Sequence, residues 1–67
     1  MAVARVTEIS ATSPDSFQAA IEEGLRRARD TLRNLKSAWV KEQRVNLSDD
    51  GSIAEYQVNL LITFILD

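Results

Sequence analysis

Few side chains in this 67-residue chain could carry out chemistry. The sequence contains neither histidine nor cysteine, which removes the commonest general base, the thiolate nucleophile and the usual ligands of zinc, copper and iron. Ser37 and Lys41 are one residue too far apart for a Ser-x-x-Lys pair, and both fall on a predicted strand. Because no nucleophile has a base beside it, we expect that the protein is not an enzyme.

The tryptophan is the side chain best suited to binding. Trp39 is the only one in the chain and lies in the predicted strand Ser37-Ala-Trp-Val-Lys-Glu-Gln43. Three roles are open for its indole: a stacking surface for a flat ligand, an apolar contact in a subunit interface, or a core side chain. Ala38 and Val40 are expected beneath a helix, so alternation predicts that Trp39 faces the other side of the sheet.

The first half of the chain predicts a strand followed by a helix. Residues 3–10 mix β-branched and polar side chains, as a strand does. Ser13-Pro14-Asp15 predicts the helix start, with Ser13 as the N-cap and Pro14 in the first helical position. Apolar residues then recur at three- and four-residue spacing, which predicts one long amphipathic helix. Its inward stripe is Phe17, Ala20, Ile21, Gly24, Ala28, Leu32 and Leu35.

The second half predicts two strands joined by the turn Ser48-Asp-Asp-Gly51. In the last strand the even-numbered residues from 54 to 66 are apolar, a period of two that places them against the helix. In the preceding strand the apolar phase changes between Val40 and Val45, which predicts a bulge or a passage into another subunit's environment. The fold class is therefore α+β: in β-α-β-β order, one helix packs on a three-stranded antiparallel sheet.

The other face of this sheet also carries large apolar side chains. They are Trp39, Ile53, Leu61 and Ile65. A monomer rarely leaves such a patch in water, and a domain this small buries little surface by itself. We therefore expect a homo-oligomer.

Six segments, in their order and spacing, resemble one family over nearly the whole chain. They are residues 6–13, 16–21, 27–34, 38–43, 56–59 and 63–66. Together they resemble the dodecins, small β-α-β-β flavin-binding proteins. The resemblance implies a single dodecin-like domain over residues 1–67 and a hollow homododecamer of tetrahedral symmetry.

The resemblance also implies a ligand, FMN or riboflavin, and a role in flavin storage or sequestration. Family flavin sites lie where two subunits meet, with indoles stacked on paired isoalloxazines and a glutamine at the pyrimidine edge. Gln57 matches that glutamine. The family tryptophan stands where this chain has Ser37, and Trp39 takes a position that the family gives to glutamate. Arg44 would either neutralise a flavin phosphate or form a surface ion pair.

The alternative is a dodecin-like assembly without flavin affinity, with a structural or divalent-cation-binding role. Symmetry could gather one carboxylate from several subunits around an axis to bind Ca²⁺ or Mg²⁺, although no metal ligand can be assigned from one chain. The turn at Asp49-Asp50-Gly51 lacks the alternating oxygen ligands of a calcium loop.

Nucleic-acid and membrane partners are not expected. The basic residues at 25–33 are interleaved with acidic ones at helical spacing, which is typical of a salt-bridged exposed face, and the net charge is −2. No apolar run approaches the roughly 18 residues of a membrane span, and no leader is recognisable. We therefore expect a cytoplasmic protein.

Overall fold

The computed structural model describes residues 2–66 and confirms the β-α-β-β order. Strand β1 (Ala4–Ser13) leads to helix α1 (Phe17–Thr31), which is followed by strands β2 (Leu35–Leu47) and β3 (Ile53–Ile65). The sheet is antiparallel with the order β1-β3-β2. The strand that comes last in the sequence is thus central, and both other strands are edges.

The helix begins later than predicted. Its N-cap is Ser16, whose side chain accepts a hydrogen bond from the Ala19 N–H (2.9 Å). The prediction of Ser13 as the cap was wrong, because Ser13 is the buried last residue of β1. Its Oγ instead accepts from the Asp15 N–H (3.0 Å), a local turn in which a serine side chain bonds the backbone two residues on.

The helix also ends earlier than predicted. It stops at Thr31, and the Leu32 N–H donates to the Ala28 carbonyl (2.8 Å). Asn34 has a φ of 62°, a left-handed conformation that asparagine tolerates better than most residues. The chain reverses there, so Leu35 belongs to β2 and not to the apolar stripe of the helix.

The core lies between the helix and strands β1 and β3. Its buried members are Ala20, Ala28, Val58, Leu60 and Ile62. The alternation predicted for the last strand is confirmed at these three β3 positions. The helix packs mainly on β1 and β3, and its small residues allow that close contact.

Strand β2 extends beyond the cover of the helix. Ala38 is paired with Ile62 and Val40 with Leu60, so both lie on the helix side of the sheet. Both are nevertheless exposed, and the prediction that they lie beneath the helix was wrong. The reason is that α1 packs mainly on β1 and β3, which leaves β2 at the edge of the sheet farther from the helix.

The phase change predicted within β2 is a bulge. Val40 is paired with Leu60 and Glu42 with Asn59, which leaves Lys41 as an extra residue. Beyond it, Val45 is paired with Tyr56 on the helix side. The bulge therefore moves the apolar residues of β2 from even to odd positions while they stay on one face.

Gly24 provides the closest approach of helix to sheet. A Cβ placed there would lie 3.1 Å from the Ala11 Cβ and 3.3 Å from Leu60 Cδ1. Because the Ala11 Cβ is fixed to the strand backbone, it cannot move away alone. We expect Gly24→Val to lower the free energy of unfolding by about 1–3 kcal/mol, the usual effect of overpacking. Urea unfolding checks this, and unchanged stability would contradict the close packing.

Candidate functional site

The candidate site is the sheet face turned away from the helix, called here the open face. Trp39 is paired with Leu61 and Ser37 with Thr63. Since Leu61 lies between the buried residues Leu60 and Ile62 of β3, alternation places it on the face opposite the helix. The open face consists of residues 4, 6, 8, 10 and 12 of β1, residues 37, 39, 42, 44 and 46 of β2, and residues 55, 57, 59, 61, 63 and 65 of β3.

Trp39 lies on this face, as alternation predicted. Its side chain is 50% exposed. Trp39 is therefore not part of the core of a single subunit, and the interpretation of its indole as a core side chain was wrong. Val6, also on the open face, is 49% exposed, and Leu61 is partly buried. One end of the open face is thus an apolar surface with an indole on it.

The other end of the open face is polar, and Gln57 is at its centre. The Gln57 Nε2 donates to Ser10 Oγ (3.1 Å) and to Asn59 Oδ1 (3.4 Å). The Gln57 Oε1 accepts from Asn46 Nδ2 (3.0 Å). The carboxamide is therefore held by one partner on each strand of the sheet.

The row of hydrogen-bonded side-chain amides ends at a carboxylate on each side. The Asn46 Nδ2 also donates to Glu55 Oε2 (2.8 Å), and the Asn59 Nδ2 donates to Glu42 Oε1 (2.7 Å). We call Glu55, Asn46, Gln57, Asn59 and Glu42 the amide relay. Sequence reasoning gave its asparagines no role, and only the pairing of β2 with β3 across the bulge reveals that Asn46 stands opposite Glu55 and Asn59 opposite Glu42.

Arg44 lies beside Gln57, to which it is paired across the strands. It is exposed, and its guanidinium is 3.6 Å from Glu42 Oε1. This is the surface ion pair that was one of its two predicted roles. An exposed pair of this kind is easily separated, so the guanidinium stays available to an anion.

The remaining carboxylate of the open face is also paired. Lys41 in the bulge reaches across β3 and donates to Glu8 Oε1 on β1 (3.2 Å). Within residues 2–66, no three acidic side chains of one subunit come together as a metal site would require.

The resolved pKa shifts lie away from the open face. The hydrogen bond from Arg26 lowers the pKa of Glu23 on the helix and raises the pKa of Arg26. In the turn between β2 and β3, the hydrogen bond from the Ser52 side chain lowers the pKa of Asp50. The candidate site offers a ligand its shape and its hydrogen-bonding side chains.

One subunit does not bring all four predicted site residues together. Ser37 and Trp39 are neighbours at the apolar end, and Arg44 and Gln57 are neighbours at the polar end. Leu61 and Gln57 are four residues apart on β3, so Trp39 and Gln57 are separated by about 13 Å along the strand. A single flat ligand that contacts both types of side chain would lie between subunits.

Comparison with known proteins identifies the family of this chain. The Dodecin family model matches residues 3–67. The chain belongs to the dodecin family. A dodecin of Thermus thermophilus is 42% identical over 65 residues, covering 97% of this chain and 93% of that protein. A Mycobacterium tuberculosis protein named calcium dodecin is 36% identical over 64 residues, covering 96% and 89%.

Solved dodecin structures have the same fold. The dodecin of Streptomyces davaonensis superposes with a TM-score of 0.92 at 44% identity, covering 98% of this chain and 96% of that one. The M. tuberculosis calcium dodecin, described with a novel calcium-binding site, superposes with a TM-score of 0.85 at 34% identity and coverages of 97% and 91%.

Within residues 2–66, helix α1 is not long and apolar enough to span a bilayer.

Proposed function

We propose that this dodecin is a non-enzymatic, homo-oligomeric flavin-binding protein that stores or sequesters FMN or riboflavin. The observation that carries the proposal is the half-exposed indole of Trp39 on the open face. Isoalloxazine is a flat, electron-poor ring system, and an accessible indole on a flat sheet offers it a matching stacking surface.

Self-association provides the second wall of the site. The helix covers one face of the sheet, while Val6 and Trp39 of the open face stay about half exposed in a single subunit. A second subunit placed over this face would bury both and would bring the polar end of one subunit near the apolar end of another. We propose the homododecamer typical of dodecins as the assembled form.

The other candidate residues have distinct roles in this proposal. Gln57 bonds the pyrimidine edge of the ring, and Arg44 leaves its exposed pair with Glu42 to contact the phosphate of FMN. Ser37 is next to Trp39 on the same face and has no ring of its own. It leaves space beside the indole, so the flavin is displaced along the strand toward Trp39.

Removing the indole tests the proposal. We expect Trp39→Ala to weaken flavin binding by about 1–3 kcal/mol, the order of stacking one heterocycle on an aromatic side chain. Titration of riboflavin and FMN, followed by quenching of flavin fluorescence, measures the change. Val45→Ala, at an exposed β2 position on the helix side, is the matched control and is expected to bind normally. Equal affinities of Trp39→Ala and the wild-type protein would refute Trp39 as the stacking surface.

A second candidate function is divalent-cation binding, which the name of the calcium dodecin relative favours. In this chain Glu8 is paired with Lys41 and Glu42 with Arg44, so a cation would need carboxylates from several subunits. Calorimetric titration of the flavin-free oligomer with Ca²⁺ separates the two candidates. Saturable Ca²⁺ binding without flavin binding would replace the proposed function with the second one.

A further inference from the structure

The carboxylates at the ends of the amide relay determine which way its amides point. A carboxylate oxygen only accepts hydrogen bonds, whereas an amide group has two N–H donors and one acceptor oxygen. Glu55 therefore requires the nitrogen of Asn46, and Glu42 requires the nitrogen of Asn59. Because a carboxylate cannot donate, each glutamate fixes which way the side-chain amide of its asparagine points.

These fixed asparagines in turn orient Gln57. Asn46 presents its nitrogen, so Gln57 must turn its oxygen toward it. Asn59 has its nitrogen on Glu42 and presents its oxygen, so Gln57 must turn its nitrogen toward it. The second Nε2 proton is used by Ser10 Oγ. Reversing Gln57 would place nitrogen against nitrogen at one end and oxygen against oxygen at the other.

The hydrogen-bonding capacity left on Gln57 follows from this count. Both protons on Nε2 are used within residues 2–66, and one of the two lone pairs on Oε1 is used by Asn46. The capacity that remains is a single acceptor lone pair. A ligand group that bonds to Gln57 without breaking the relay must therefore be a donor.

We infer that Glu42 and Glu55 act as positioning residues that fix Gln57 as a hydrogen-bond acceptor, so that the site selects ligands with a donor on their ring edge. The inference rests on the proposed function and names the group that is recognised there. In a flavin that donor is the ring N3–H, which stands between two carbonyl groups. A flavin methylated at N3 presents carbonyls alone, and the fixed Gln57 has no proton left for them.

The test compares lumiflavin with N3-methyllumiflavin, neither of which carries a phosphate. Three forms of the full chain are used: the wild type, the double variant Glu42→Gln/Glu55→Gln, and the control Glu22→Gln/Glu23→Gln. The control removes the same charge from exposed helix positions. Dissociation constants come from quenching of flavin fluorescence, and light scattering checks that each form keeps its oligomeric state.

We expect the wild type and the control to bind N3-methyllumiflavin about tenfold more weakly than lumiflavin, the effect of one lost hydrogen bond that leaves a polar group unpaired. In the relay variant each new glutamine can accept or donate, so the amides can reverse and Gln57 can offer a proton. We expect the ratio of the two dissociation constants to fall to about two or less there.

The outcomes separate this inference from the proposed function. Equal affinity of the wild type for both flavins would overturn the inference and leave flavin binding in place. An unchanged tenfold ratio in the relay variant would show that Glu42 and Glu55 do not orient Gln57, and would also overturn it. Failure of the wild type to bind lumiflavin would overturn the proposed function and, with it, the selectivity inferred here.

Discussion

Replacing Leu61 with glutamate is expected to abolish assembly. Leu61 lies at the apolar end of the open face, between Glu8 on β1 and Trp39 on β2. A glutamate there would be buried by the second subunit of the proposed oligomer. The cations Lys41 and Arg44 are already paired with Glu8 and Glu42, so burial of the new charge is strongly unfavourable. The new glutamate would also stand directly opposite Glu8, and like charges opposite each other destabilise a sheet.

Light scattering measures this effect. The molar mass of the wild type is expected to be a multiple of the 7.5 kDa subunit mass. The Leu61→Glu variant is expected to have a molar mass of 7.5 kDa, and its circular dichroism is expected to show the loss of much of the secondary structure. Gln18→Glu adds the same charge at an exposed helix position and is expected to assemble normally. A wild type that is a stable folded monomer, or a Leu61→Glu variant that assembles like the wild type, would contradict the proposed interface.

Truncating Leu60 is expected to have the largest effect on subunit stability. Its side chain is 1% exposed and packs beneath the helix at Gly24. Leu→Ala at buried sites removes about 2–5 kcal/mol of unfolding free energy through lost transfer energy and the cavity left behind. This is a large part of the roughly 5–15 kcal/mol that stabilises a whole domain.

Val40 offers a matched comparison for Leu60. The two residues are paired across β2 and β3 and lie on the same face of the sheet, but Val40 is 36% exposed because the helix does not cover β2. Urea and thermal unfolding of Leu60→Ala and Val40→Ala are expected to show the larger loss for Leu60. Equal losses would mean that the core extends over β2, contrary to the structure.

Several features of the fold were predictable because they depend on local sequence. The period of two in β3 needs no knowledge of its neighbours, and it correctly placed Val58, Leu60 and Ile62 in the core. The change of apolar phase in β2 was also visible, and the strand pairing decided for a bulge over a passage into another subunit's environment. The ends of the helix were mispredicted, since Ser13 and Ser16 are both capable caps and the sequence does not show where β1 stops.

For the candidate site, the sequence by itself determined the residue types and the face. It contains one indole, no histidine and no cysteine, and alternation in β2 placed Trp39 on the side away from the helix. The tertiary structure alone decided that β3 is central and β2 is an edge. That strand order leaves Ala38 and Val40 uncovered and brings Asn46, Gln57 and Asn59 into one relay. The physical reason is that strand pairing and register join residues far apart in the chain, and a pattern within one strand carries no information about its partner.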